Sequence, residues 1–397
     1  MNPRLEKLHP YPFERLKALV SDLVPAADKS PISLSIGEPR HASPPLILEA
    51  LSANLKGLSN YPATLGNESL RQAISQWIAR RYGIPAPNPA TEVLPTLGSR
   101  EALFSIIQVL LDPTGDAGMA LCPNPFYQIY EGATLLAGGN TWFVNADPSR
   151  HFALAYHQVP PQVLEKTRVA FTCSPGNPTG GVLSLEEWKT FFELSDRYGF
   201  TIVSDECYSE IYPDEAAPPL GALEAAHRLG RAGFPRLIVM NSLSKRSNVP
   251  GLRSAFAAGD ANILKRFVLY RTYHGSAMGP AVQAASEAAW QDETHVVANR
   301  ALYRAKMEAF YQAVHPVLPL EVPQAGFYYW AKTPISDVEF TRRLLAEQNV
   351  AVLPGSLLAR EAHGTNPGEN RIRIALMGSL EETLEAARRI QQLVASL

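Results

Sequence analysis

Leu237-Ile-Val-Met-Asn-Ser-Leu-Ser-Lys245, followed by Val249-Pro-Gly-Leu-Arg253, joins the signature of a buried strand to a lysine and an arginine. An apolar run that gives way to Asn-Ser is the pattern of a short strand covered on both faces, as in a parallel sheet. A residue just past such a strand stands where open α/β sheets bind their ligands, outside the carboxyl ends. Desolvation and nearby positive charge lower the pKa of a lysine there, as a nucleophilic amine requires. An arginine eight residues later supplies a bidentate anchor for a phosphate.

Working outward, similar apolar runs occur at 118–122, 168–173 and 200–204, each ending where polar, Pro or Gly residues begin. Between two of them, residues 185–198 read as a helix with Ser184 as N-cap and Glu187 in the capping-box position, which supports a crossover connection. The run 200–204 opens into Asp205-Glu-Cys-Tyr208, setting a carboxylate at the mouth of a buried sheet. An unpaired charge there is costly to desolvate, so a cation should meet it. Ser-Pro-Gly-Asn-Pro-Thr-Gly at 174–180, read alone, is a sharp turn. Gly98-Ser99-Arg100 begins a helix with apolar periodicity, whose free N–H groups and dipole suit a phosphate.

The 397 residues exceed one hydrophobic core, and the rhythm of the chain predicts an α/β protein in two lobes. The expected division is a proline-rich N-terminal arm at 1–44, a large domain at 45–282 with a mostly parallel sheet flanked by helices, and a smaller α+β domain at 283–397. The last contains the aromatic run 326–330, a strand-like stretch at 371–376 and an amphipathic helix from Ser379. The arm should pack on the small domain or on a partner subunit. Lys and Arg total 36 against 38 Asp and Glu, with no block of like charge, which argues against nucleic acid or anionic lipid as partner and favours a small molecule. Cys122, Cys173 and Cys207 lack metal or CxxC spacing and read as reduced thiols of a cytoplasmic protein, with no metal site. No apolar run is long enough to span a membrane.

Taken together, SPGNPTG (174–180), SDECY (204–208), SLSK (242–245) and PGLR (250–253) resemble the fold-type I pyridoxal-phosphate (PLP) aminotransferases, in their aspartate aminotransferase-like branch, over nearly the whole chain. The resemblance implies that Lys245 holds PLP as a Schiff base and shuttles the substrate proton. Asp205 would pair with the pyridine nitrogen, and Tyr208 and Asn177 would bond the phenolic oxygen. Ser99, Arg100, Ser242, Ser244 and Arg253 would bind the phosphate, with Tyr127 against the ring. Tyr61 would reach the phosphate of a neighbouring subunit, implying a homodimer with shared active sites. Arg373 matches the arginine that grips the substrate α-carboxylate, with Gly37 lining the substrate side. Arg371, two residues away, points to the same face of a strand, so the choice between them rests on motif alignment.

Within the family, residues 33–45, 123–133, 244–254 and 273–280 are similar to proteobacterial succinyldiaminopimelate aminotransferases. That implies L-glutamate and 2-oxoglutarate as one substrate pair and the N-succinylated diaminopimelate and its keto acid as the other, in lysine biosynthesis. Leu97, where a small polar residue is expected, departs from that pattern. Arg40, His41, Arg100, Arg246, Arg271 and His274 are candidates for the far end of such an acidic substrate. Rival readings are an S-x-x-K acyl transferase, which lacks its S-D-N and K-T-G elements; a Rossmann dehydrogenase, which lacks G-x-G-x-x-G; and a PLP-binding regulator, which would need a DNA-binding domain ahead of the body. Acetylornithine, aspartate or aromatic transamination, or β-elimination on the same scaffold, are the nearer alternatives.

Overall fold

A computed structural model describes residues 1–114 and 118–397. Its centre is an eight-stranded sheet of β1 (Val93–Thr96), β2 (Met119–Asn124), β3 (Asn140–Asp147), β4 (Ala153–Leu154), β5 (Thr167–Cys173), β6 (Thr201–Asp205), β7 (Leu237–Ser242) and β8 (Ala255–Gly259). The order is β1-β8-β7-β6-β5-β2-β3-β4. The five strands from β7 to β3 run parallel, while β8 and β4 are antiparallel to their neighbours. Alternation along the pleat explains why the central parallel strands send apolar residues to both faces: Ile202, Ala170 and Val239 enter one core with Trp77, Trp188 and Trp290. Val203, Phe171 and Met240 enter the other, against Leu103, Ile106 and Ile107 of α1 (Ser99–Leu110).

The crossover helix α2 (Leu185–Tyr198) carries the expected capping box: Ser184 accepts from the Glu187 amide and the Glu187 carboxylate accepts from the Ser184 amide. Farther along, α3 (Thr294–Val314) leads to a second sheet of β9 (Tyr328–Lys332), β10 (Leu353–Pro354) and β11 (Arg371–Ala375), in the order β9-β11-β10. It shares a third core with Phe310, Phe340, Leu344 and the C-terminal helix α4 (Leu380–Ala395). Ile32 and Ser33 of the arm pair in parallel with Val350 and Ala351. The carbonyl of Leu34 then accepts from the Ala375 amide, so the arm passes beside the end of β11. Among the described residues no helix is long and apolar enough to cross a membrane.

Candidate active site

The sheet gathers its chemistry along one edge. Cys173 pairs with Asp205, Asp205 with Met240, and Ser242 with Ala255, which in turn pairs with Thr96. The segments leaving β5, β6, β7 and β1, and the one entering β8, therefore converge. They carry Asn177, Asp205, Lys245, Ser99 and Arg253 into one cavity of about 560 Å³. Arg100, Tyr127, Tyr208, Ser242, Ser244, Gly37 and Arg373 line the same cavity. Tyr61 does not; it stands fully exposed on a loop.

Lys245 sits on a short helix (Leu243–Arg246) capped by Ser242, whose hydroxyl accepts from the Ser244 amide. Its Nζ donates to the carbonyl of Gly37 at 2.5 Å. Burial, with a smaller push from Arg373, brings the ammonium down to about 8. Asp205 is 5% exposed and accepts from the Tyr130 hydroxyl at 2.9 Å and from the Cys207 amide at 3.3 Å. Burial raises its pKa against the pull of those bonds. Its neighbour Glu206 points away, to Tyr82, Ser204 and the Ala222 amide. The Tyr208 hydroxyl lies 3.1 Å from that of Tyr328, and burial holds its pKa well above the ordinary tyrosine value.

Arg373 and Arg371 separate in the folded chain. Arg371 lies over the ring of Phe152, 4.8 Å from its centroid, whereas Arg373 is 4% exposed and lines the cavity. Arg373 donates to Asn177 Oδ1 at 3.1 Å and to the Ser35 carbonyl at 2.7 Å, and its Nε has no partner among the described residues. No carboxylate pairs with it among the described residues. A buried guanidinium without a counterion is held at a cost that an incoming carboxylate would relieve.

The phosphate-sized end of the cavity is equally prepared. Gly98 precedes α1 with φ +88°, and no side chain among the described residues caps the helix, leaving its first amides for a ligand. A Cβ on Gly98 would come 1.9 Å from a terminal nitrogen of Arg253, so only glycine lets that guanidinium approach. Arg253 has no carboxylate partner among the described residues and donates only to Pro250 of its own turn.

A family model of aminotransferase class I and II matches residues 29–390. The chain belongs to this family. Curated relatives include LL-diaminopimelate aminotransferase 2 of Nostoc sp., 30% identical over 399 residues that cover 98% of this chain and 97% of that protein. LL-diaminopimelate aminotransferase of Dehalococcoides mccartyi is 31% identical over 384 residues, covering 95% of this chain and 94% of that one. Among solved structures, an aminotransferase from Neisseria meningitidis superposes with a TM-score of 0.96 at 48% identity, covering 99% of this chain and all of that chain. Aminotransferase AspB from Helicobacter pylori gives 0.90 at 32% identity, covering 98% of this chain.

This aminotransferase is a PLP enzyme, and the cavity fits that cofactor: an amine of lowered pKa, a buried carboxylate, an uncapped helix start and an unpaired arginine are arranged around one space. The motifs did not reveal Tyr130, which holds Asp205, or Tyr328, which faces Tyr208. Nor did they place Cys173, Cys207 and Tyr11 on the cavity wall. Of the six cations considered for a distal substrate group, only Arg100 lines the cavity, donating to the Tyr127 hydroxyl at 2.7 Å. Arg246 and Arg271 are buried counterions of Glu293 and Glu101. Arg40 pairs with Glu382, His274 bonds Ser276, and His41 bonds Asn299 and Lys306.

Proposed function

We propose that this aminotransferase exchanges an amino group between L-glutamate and the keto acid of N-succinyl-LL-2,6-diaminopimelate, with 2-oxoglutarate as the returning acceptor. The carrying observation is Arg373, a buried guanidinium with no counterion among the described residues, facing the same cavity as Lys245. Bound PLP supplies a ring that withdraws the electrons left on the substrate Cα when its proton departs. Lys245 acts as the cofactor's lysine and then carries that proton, a role suited to an amine with a pKa near 8. Asp205 keeps a proton on the ring nitrogen, and Tyr130 and the Cys207 amide fix its direction. Burial keeps Tyr208 a phenol, which would donate to the ring oxygen when PLP is bound. Asn177 accepts from Arg373 at Oδ1 and would turn its amide hydrogens to the same ring oxygen. Ser99, Arg100 through its backbone, Ser242, Ser244 and Arg253 hold the phosphate. Arg373 takes the α-carboxylate of each substrate.

Arg100 at the mouth, with no carboxylate partner among the described residues, supports an acidic far end for the second substrate. The relatives named LL-diaminopimelate aminotransferase favour a second reading, in which the unsuccinylated diamino diacid is used directly. The two are separated by kcat/KM for succinyldiaminopimelate, LL-diaminopimelate, acetylornithine and aspartate, each with 2-oxoglutarate and glutamate as the product followed. The expected result is a preference of about a hundredfold or more for the succinylated donor, since mismatch at a polar subsite costs several kcal/mol. A preference for LL-diaminopimelate replaces the substrate and keeps the chemistry.

Tyr61, exposed and away from its own cavity, is read as a phosphate ligand of the partner in a homodimer. Tyr61→Phe is then expected to weaken PLP binding about tenfold, the cost of one charge-assisted hydrogen bond. The measurement is reconstitution of the apoenzyme, with sedimentation showing an unchanged dimer. Unaltered PLP affinity would remove the shared-site assignment.

A further inference from the structure

The arm reaches the catalytic lysine by two routes, one direct and one through Asn299. Gly37 accepts from its Nζ, and four residues later His41 enters a hydrogen-bonded chain that ends on its main chain. Lys306 Nζ lies 2.9 Å from His41 Nε2, His41 Nδ1 lies 2.7 Å from Asn299 Oδ1, and Asn299 Nδ2 donates to the Lys245 carbonyl at 3.2 Å. The direction of this chain follows from its chemistry. An ammonium only donates, so Nε2 of His41 must accept, which puts the ring proton on Nδ1 and aims it at the Asn299 oxygen. The amide then turns its nitrogen to Lys245. Every member has one role consistent with its neighbours.

The chain also joins the parts that carry the two ends of the substrate site. Lys306, 3% exposed, donates to the Gly378 carbonyl just beyond β11, the strand that bears Arg373. Asn299 and Lys306 both lie on α3, 7 residues apart and therefore on one face. Asn248, three residues after Lys245, donates to the carbonyls of His41 and Ala42. Tyr303 of α3 packs under the His41 ring at 4.5 Å between centroids and stacks on Phe327, whose ring lies 5.5 Å from Lys245 Nζ.

We propose that His41 is a positioning residue: held between Lys306 and Asn299, it seats the arm at 37–43 on the main chain of Lys245 and keeps that lysine aligned with Arg373. The proposal rests on the reading of Lys245 as the cofactor's lysine, and not on which donor the enzyme prefers. The charged and titratable groups around His41 are Lys306 and Tyr303 of α3, Arg40 beside it, and Glu382 of α4, which faces both Arg40 and Lys306. Burial lowers the pKa of His41 against the pull of its bond to Asn299, and Lys306 lowers it further, the direction that favours the neutral ring the chain needs.

The test compares His41→Ala, His41→Asn and Lys306→Met with wild type in the full-length enzyme. Asparagine can place its amide nitrogen near where Nδ1 stood and so keep the bond to Asn299. Amide exchange at 35–44 in the apoenzyme is expected to quicken about tenfold in His41→Ala and in Lys306→Met, because one seat of the arm is lost. In the holoenzyme His41→Ala should lower kcat about ten- to a hundredfold, the effect of a small misplacement of a reacting group, with KM for the amino donor nearly unchanged. The midpoint of the pH-dependent absorbance of bound PLP should move in the same variant, and His41→Asn should recover most of all three. Exchange at 35–44 like wild type in both His41→Ala and Lys306→Met overturns the proposal. So does faster exchange throughout the chain, or a His41→Asn enzyme as impaired as His41→Ala. Failure of the underlying reading shows separately, as a Lys245→Ala enzyme that keeps the wild-type absorbance.

Discussion

Lys245→Ala is expected to lower kcat by roughly four orders of magnitude, since one side chain is asked both to hold the cofactor and to move the substrate proton. The cavity offers few substitutes. Burial raises the thiols of Cys173 and Cys207 and the phenols of Tyr208 and Tyr328, so none of them is a base at neutral pH. Asp205 is engaged by Tyr130 and Cys207. Glu38 is the other carboxylate on the wall among the described residues, and adding Glu38→Gln to Lys245→Ala would show whether it supports any residual rate. Single-turnover measurement with saturating glutamate isolates the proton-transfer step from product release. The variant should still take up PLP through the phosphate site proposed at Ser99, Ser242, Ser244 and Arg253, but without the absorbance that depends on the lysine. Turnover within about tenfold of wild type would assign the proton to another group.

The legibility of this site follows from strand physics. A strand buried on both faces must be apolar for its whole length, so its carboxyl end is marked where polarity returns. Asn177, Asp205 and Lys245 each follow such a boundary, and adjacent parallel strands bring those boundaries side by side. The remaining strands lacked that mark. β1 contains Pro95, β3 has only the three-residue apolar run Trp142-Phe-Val144 between polar ends, and β8 is Ala-Phe-Ala-Ala-Gly, whose small residues give little period. The antiparallel placement of β8 was accordingly not visible. Parity along a strand also could not divide Arg371 from Arg373, because both point to one side; the choice is made by Phe152 covering the former and the cavity receiving the latter. Tyr130 was out of reach for another reason, since its partner Asp205 is 75 residues away and the contact exists only once β6 and the helix after β2 have packed. Arg246 and Arg271 show the converse, for a sequence does not distinguish a cation awaiting a ligand from one already paired inside the protein.

Asp205→Ala is expected to lower kcat by about a hundred- to a thousandfold while most PLP binding survives, because an electrostatic partner aimed at developing charge is lost and the phosphate contacts are untouched. The surroundings of Asp205 suit an anion that awaits a cation. Burial pushes its pKa up, the Tyr130 hydroxyl and the Cys207 amide pull it down, and no Lys or Arg pairs with it among the described residues. A protonated ring nitrogen would supply the missing counterion, and the carboxylate would in turn hold that proton in place. Asp205→Asn separates charge from shape, since its amide oxygen can still accept from Tyr130. If the charge is what matters, the asparagine and alanine variants should lose rate to a similar degree and both should bind PLP, as read by single-turnover kinetics and by titration of the apoenzyme. A largely active asparagine variant would mean that a neutral hydrogen-bond acceptor suffices. An unimpaired alanine variant would remove Asp205 from the chemistry and leave it as a packing residue between Tyr130 and the Cys207 turn.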